Sequence, residues 1–453
     1  MKPCIYWLRH DLRIIDNPAL FAVANSKKPT IVTVLHPDRW AFPDGAAKLW
    51  WLDQSLRALD ASLKKLGGEI LYWNDTIESL VEKSGADEIH WNRAYTPESV
   101  SADTELKTNL SELGVTAVSH QANLLQEPWT IRNKTGGIFK VFTPFWKHCR
   151  ALGDPSAPVP EIESLTPFQE LEGDQLDDWN LRPSKPDWAT GFEADWTPGE
   201  KGALDKLSQF FEEGIAGYAE LRNRPDLENV SRLSPHLAMG EISPKTVWFA
   251  AKQAEYNARP ANTSDKDFDC FYSEIYWREY AAYLLFNYPH IPDKAWKPQF
   301  DAFPWENDPD KLTAWQTGQT GYPLVDAGMR QLWQTGWMHN RVRMVVASFL
   351  IKHLLIDWRH GEKWFWDTLL DADRASNVTS WQWVAGSGAD ASPYFRIFNP
   401  FTQGEKFDTG GEYVRKYVPE LAKLSNSVIH RPWEASPVEL ASAGVKLGKT
   451  YPL

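Results

Sequence analysis

Over the first 125 residues, short apolar runs of β-forming character alternate with amphipathic segments. The runs are PCIYWLRHDL, PTIVTVLHP, EILYWND, DEIHWNRAY and VTAVSHQ, and stretches such as LWWLDQSLRALDASLKKL fall between them. Single strands separated by helices predict a parallel sheet with right-handed crossovers, a doubly wound α/β domain over residues 1–130. No GxGxxG follows the first run, which weighs against a nicotinamide dinucleotide site. From about residue 202 the strand signals fade and apolar residues recur at intervals of three and four, most clearly in MHNRVRMVVASFLIKHLLIDW (338–358). A second, nearly all-helical domain is predicted over 202–453. No internal repeat or low-complexity tract interrupts the pattern.

Residues 131–201 fit neither period. From about residue 151 this segment is rich in proline (DPSAPVPEIESLTP), and residues 151–200 hold 12 acids against 2 bases. It reads as a long surface linker between the two domains. Its acidity accounts for most of the net charge of −12, so the rest of the 453-residue chain is nearly neutral. Residues 330–363, in contrast, carry six Lys/Arg against two acids, a local basic surface available to phosphates.

Composition narrows the class. With 43% hydrophobic and 24% charged residues the chain is an ordinary globular protein of more than one domain. No apolar run is long enough to span a membrane and no secretory leader pattern opens the chain, so a soluble, cytoplasmic monomer is the default expectation. Cys4, Cys149 and Cys270 lie too far apart for zinc spacing and read as buried free thiols. Tryptophan is the anomaly: there are 24, and eleven fall between residues 271 and 383. Each indole asks for a partner for its N–H, so that region uses aromatic faces for stacking, electron transfer or both.

Three stretches can carry chemistry. VSRLSPHLAMGEISP (230–244) contains two Ser-Pro steps, each a helix start with Ser as N-cap and Pro first in the helix. A plain cap is the simpler reading of each, yet a helix N-terminus beside Ser231, Arg232 and Ser234 suits a pyrophosphate. EIYWREY places Glu274, Trp277 and Arg278 at i, i+3 and i+4, as either a salt-bridged patch or a pocket wall. The same geometry puts Asn340 and Met344 on one helix face, flanked by Arg341 and Arg343. In DADRASNVTSWQWVAG (371–386), Asp371 and Asp373 can be metal ligands, but Trp381 and Trp383 supply none. A flavin is the better partner: two carboxylates at a helix end accept from its ring and ribityl donors, and Asn377 can meet a ring nitrogen.

Over nearly the whole chain, beginning with YWLRHDLRIIDNPAL and most specifically from GYPLVDAGMRQLWQTGWMHNRVRM through DADRASNVTSWQWVAGSGADASPYFRIFNPFTQGEKFD, the sequence resembles the photolyase/cryptochrome family, and within it the microbial class I DNA photolyases. The resemblance implies an α/β antenna domain, a linker and a helical domain holding FAD, and an enzyme that splits cyclobutane pyrimidine dimers in DNA with blue light. By motif, Tyr218, Ser231, Arg232, Leu233, Ser234, Trp277, Arg343, Asp371, Asp373 and Asn377 correspond to the FAD-contacting set, with Asn377 against flavin N5. Glu274, Trp277, Asn340, Met344 and Trp383 correspond to the dimer pocket. Arg222, Arg278, Arg341, Arg396 and Gln403 correspond to residues that grip DNA, and Trp381, Trp358 and Trp305 to a tryptophan chain relaying electrons to the flavin. Val230 stands where the family often has a hydroxyl. TPESVSAD and GAAKLWWLDQSL imply an antenna of the 8-hydroxy-5-deazaflavin or FMN type rather than methenyltetrahydrofolate. The rivals are a light-sensing cryptochrome without repair activity, a (6-4) photolyase, in which a histidine pair would stand near Asn340 and Met344, and a nuclease using Asp371 and Asp373.

Overall fold

The computed structural model describes residues 1–257, 259–391 and 397–452. All five predicted runs are strands: β1 (Cys4–Leu8), β2 (Thr30–Leu35), β3 (Ile70–Trp73), β4 (Glu88–Asn92) and β5 (Thr116–His120). They form one parallel sheet in the order β3-β2-β1-β4-β5. β1 and β2 are buried along their whole length, as expected of central strands covered on both faces. The helices Pro18–Asn25, Ala46–Lys65, Ile77–Ser84 and Pro97–Glu112 lie between the strands in sequence. Their starts follow ordinary capping chemistry: the side chains of Asn17, Thr76 and Thr96 each accept a backbone N–H of the first turn.

Among the described residues no strand follows His120, and the rest of the chain is helical. The longest helix, Asp265–Asn287, starts with a capping box in which Ser264 and Asp267 satisfy each other's backbone N–H groups. The apolar pattern over 338–358 is not one helix. Asn340–Lys352 ends, Leu355 takes φ 53°, and Asp357 caps a new helix, Trp358–Thr368. A carboxylate acceptor at Asp357 and a left-handed residue two positions earlier outweigh apolar periodicity there.

The acidic segment differs most from expectation. It runs over the surface, most of its residues exposed, but is pinned to the α/β core by single anchors: Ile162, Leu165, Leu176, Trp179, Leu181, Phe192 and Trp196 are buried with Trp50 and Trp51. Its backbone also extends the hydrogen bonding at β2 and β3, through Thr30 N to Thr166 O (2.7 Å), Phe168 N to Thr30 O (3.1 Å) and Asp174 N to Tyr72 O (2.9 Å). Apolar residues that anchor singly, between acids and prolines, leave no period to detect.

The two domains meet at the turn before Ala46–Lys65. Phe42 packs edge-on to Trp366 at 5.1 Å, the Trp366 indole donates to Pro43 O (3.2 Å) and Ala46 N–H donates to Asp367 Oδ1 (3.0 Å). Gly45 lies so close to the opposite domain that a Cβ there would overlap the backbone carbonyl of Trp366. Neither backbone can give way easily, so Gly45→Ala should destabilise the protein by about 1–3 kcal/mol, the usual cost of overpacking. Thermal unfolding of the variant measures this, and an unchanged Tm would show that the interface is compliant.

Candidate functional site

The residues singled out in the helical domain converge on one buried region. Arg343 forms a two-pronged pair with Asp371, Nη1 to Oδ1 at 3.1 Å and Nη2 to Oδ2 at 2.8 Å, and its Nε donates to Met338 O (2.7 Å). The planar guanidinium is thereby fixed by three bonds in one plane. Asp373 is the N-cap of Arg374–Ala385 and accepts from Ser376 N (2.7 Å). Both carboxylates are engaged by protein donors, which opposes the metal-ligand and nuclease readings. On the same helix Asn377 is buried and donates from Nδ2 to Glu362 O and Glu362 Oε1, both at 3.0 Å.

A cavity of about 300 Å³ lies alongside, lined in part by Val230, Arg232, Gln331, Trp337, His339 and Tyr413. Arg232 holds a left-handed φ of 51° and sandwiches its guanidinium between Trp196 (4.3 Å) and Trp337 (5.1 Å). Ser234 is not the helix cap the sequence implies. The helix is Ser234–Met239 with Leu233 at the N-cap, and the Ser234 hydroxyl instead accepts the Trp337 indole N–H (3.2 Å). The second Ser-Pro step behaves as expected, with Ser243 capping Pro244–Tyr256.

Two buried donors on this cavity have no protein acceptor, Arg232 Nε and His339 Nε2. His339 Nδ1 accepts from Arg341 N (3.2 Å), so the ring proton sits on Nε2 and needs an acceptor. Burial, reinforced by Arg222, Arg343 and Arg341, holds the His339 imidazole down at about 3. The lining also carries Asp195, Asp226, Glu228, Glu412 and Lys416, so it is Arg232 Nε and His339 Nε2, not the overall charge, that ask for an oxygen acceptor from a ligand.

At the mouth, Arg222 pairs with Glu274 at 2.5 Å and lies over the Tyr218 ring (5.7 Å). Burial raises the Glu274 carboxyl above its usual range and Arg222 opposes the shift. Trp277 is 39% exposed and stacks one face flat on Phe142, with centroids 3.6 Å apart and planes at 9°. Asn340 is exposed, while Met344 and Trp383 are half-buried. Arg341 is held by Asn223 Oδ1 (2.6 Å) and lies over Phe407 (4.6 Å). Arg278 turns away to donate to Asn123 O (2.7 Å). The Gln403 Oε1 atom is buried without a partner, and Arg396 lies outside the described residues. Trp381 and Trp358 are buried in the helical core, and Trp305 packs on its partly exposed edge. Gly361 makes room for the Trp381 indole, since a Cβ there would overlap its ring.

Sequence reasoning missed Trp337, His339 and Glu362. Nothing local marks them, because their roles come from packing between segments far apart in the chain. Elsewhere, Glu98 and Asp103 of the TPESVSAD stretch face Arg374 (3.6 Å) and Arg9 (2.8 Å) respectively. Cys4, Glu88 and His90 converge on one face of the sheet, where His90 is bonded to Glu88 and His120, and Glu88 to Lys28.

Residues 4–163 match the family model for DNA photolyase and residues 271–453 the model for the FAD binding domain of DNA photolyase. The chain belongs to the DNA photolyase and cryptochrome family. It is 51% identical to the deoxyribodipyrimidine photo-lyase of Agrobacterium fabrum, over 100% of this chain and 94% of that one. It is 39% identical to cryptochrome-2 of Arabidopsis thaliana, over 99% of this chain and 76% of that one. A solved bacterial class III photolyase from Agrobacterium tumefaciens superposes with a TM-score of 0.96 at 50% identity, covering 100% of this chain and 94% of that one. The expectation of a class I enzyme is therefore not supported, although the photolyase resemblance is. No helix among the described residues is long and apolar enough to cross a membrane.

The state of His339 has a consequence for acid stability. Above pH 6.5 the ring is neutral folded and unfolded. Between 6.5 and about 3 the unfolded chain takes up a proton that the folded protein refuses, so stability falls with pH across that window. His339→Gln should flatten the acid-unfolding curve there, and equal slopes for the two proteins would remove His339 from the account.

Proposed function

We propose that this protein is a photolyase of the class III type, a light-dependent DNA repair enzyme that splits cyclobutane pyrimidine dimers with FAD as its cofactor. The observation that carries this reading is the pair of unmatched buried donors on one cavity, Arg232 Nε and His339 Nε2, with the Arg222–Glu274 pair close enough to bear on the His339 ring and Trp277 exposed on the same helix as Glu274. When bound and reduced, FAD supplies the electron that blue light delivers to the dimer. Arg343, Asp371, Arg232 and the turn 231–234 would hold the cofactor, with Arg232 Nε and His339 Nε2 as donors free to bind it.

The substrate pocket follows from the geometry of the mouth. A dimer stacked in duplex DNA cannot reach a buried cofactor, so it is flipped out, and the damage itself lowers that cost. Phe142 covers one face of Trp277, which leaves the other free to stack on the dimer. Glu274, whose carboxyl burial raises while Arg222 opposes the shift, stands where it can hydrogen-bond the polar edge of a flipped-out pyrimidine. Arg341 and the basic surface of 330–363 add phosphate contacts without sequence preference. Trp381, Trp358 and Trp305 form a path for electrons from the exposed edge of the core.

Repair of a cyclobutane thymine dimer in an oligonucleotide by chemically reduced protein, in blue light against darkness, tests the function. Recovery of thymine absorbance only in the light is expected. Bound flavin with no recovery would move the assignment to a light-sensing protein without repair activity. Glu274→Ala should lower repair yield at least ten-fold while flavin content stays near wild type. Equal losses of both would make Glu274 structural. Trp305→Phe should block photoreduction of oxidised protein and spare repair by protein already reduced. A loss of repair in the reduced state would refute the assignment of Trp305 to the supply path.

A further inference from the structure

Asn377 is oriented by its neighbours. An amide has two N–H bonds, and Nδ2 spends both on Glu362, one on the backbone carbonyl and one on Oε1. The reversed amide would set Oδ1 against the same two oxygens, so the orientation is determined by electrostatics. Only Oδ1, an acceptor, is left to face the cofactor. Flavin N5 carries a hydrogen when reduced and is itself an acceptor when oxidised, so an oxygen opposite it favours the reduced cofactor.

Glu362 is held in turn. Its Oε1 stands 3.4 Å from Arg374 Nη1, and burial raises the carboxyl while Arg374 is the largest opposing influence. Arg374 also reaches across the domain boundary. Nη2 is 3.6 Å from Glu98 Oε1 at the start of Pro97–Glu112, and the guanidinium carbon is 4.1 Å from the centroid of the Phe42 ring. The side chain is only 13% exposed and its Nε has no partner, so a buried cation is kept between two domains at a desolvation cost. Packing alone does not require a cation there, since an aliphatic side chain would fill the space beside Phe42 without that cost.

We propose that Arg374 is a positioning residue that couples the α/β domain, through Phe42 and Glu98, to Glu362 and hence to the acceptor that Asn377 presents to the flavin. The inference rests on the reading that Asn377 faces flavin N5. On this account the α/β domain sets how strongly the protein favours reduced flavin, in addition to any part in collecting light.

The test uses purified holoprotein and the variants Arg374→Leu, Arg374→Lys and Glu362→Gln. Flavin content, the midpoint potential of the bound flavin, its reoxidation rate in air after photoreduction and Tm are measured for each. Arg374→Leu is expected to keep flavin near wild-type content, lower the potential and reoxidise several-fold faster. Arg374→Lys, which keeps a cation within reach of Glu362, should recover most of the difference. Glu362→Gln should shift the potential in the same direction as Arg374→Leu. An unchanged potential and reoxidation rate in Arg374→Leu would overturn the proposal. So would a change that Arg374→Lys does not rescue and that tracks a fall in Tm, since interface packing alone would then explain it. Wild-type protein that binds no flavin would overturn the reading of Asn377 instead, which is a separate failure.

Discussion

The carboxylate of Glu241 is completely buried, and the architecture is arranged around satisfying it. Its Oε1 accepts the Trp51 indole N–H (2.9 Å), the Gly199 backbone N–H (2.6 Å) and the Ser55 hydroxyl, and its Oε2 takes the His236 ring. Those donors come from a helix of the α/β domain, from the segment between the domains and from the short helix Ser234–Met239. A buried carboxylate is tolerated only when its lone pairs are matched, so three parts of the chain must arrive together for any of them to be stable there. The α/β domain is therefore not an independent module joined by a tether.

The position of the cofactor turn follows from that node. Ser234–Met239 is anchored on two sides, with His236 tied to Glu241 and Ser234 tied to the Trp337 indole. Between these anchors and the segment ending at Trp196, Arg232 is pressed into its left-handed conformation with an indole on either side. A residue other than glycine adopts that conformation at a cost, and here the surrounding packing supplies the compensation. The outcome is a guanidinium whose direction is fixed while its Nε stays unmatched, a preorganised arrangement for an anion.

Legibility in the sequence followed the range of the interactions. The five strands and the helical second half could be read because each is marked by a period within ten or twenty residues. Cofactor and substrate residues could be proposed only because long motifs resemble a known family. The residues' own spacing had left Glu274, Trp277 and Arg278 as either a salt-bridged patch or a pocket wall. What could not be read was set by contacts between distant segments. The acidic stretch looked like a linker because its buried residues occur singly, and His339, Trp337 and Glu362 carry no local signature. Ser234 shows the same limit on a smaller scale: Ser before Pro is a good cap signal, and the Trp337 N–H outcompetes it.

The excess of tryptophan is explained by the same need. Trp51 binds Glu241, Trp196 binds Thr335 O (2.8 Å), Trp248 binds Asp154 (3.1 Å), Trp315 binds Val346 O (3.1 Å), Trp337 binds Ser234 and Trp366 binds Pro43 O. For Trp51, Trp196 and Trp315 a large apolar body fills a junction between segments while one N–H satisfies a buried acceptor on the far side; Trp248, Trp337 and Trp366 bridge segments in the same way to more exposed acceptors. Phenylalanine could fill the space but would leave the acceptor bare, and a polar side chain could reach the acceptor but would leave the junction hollow. Segments that meet from far apart in the chain leave polar backbone and side-chain atoms at their seams, and indole is the side chain that closes such seams with one residue. Trp358 and Trp381 lie in the same aromatic-dense helical core and Trp305 packs on its edge, so the proposed electron path would need few residues beyond those the architecture requires.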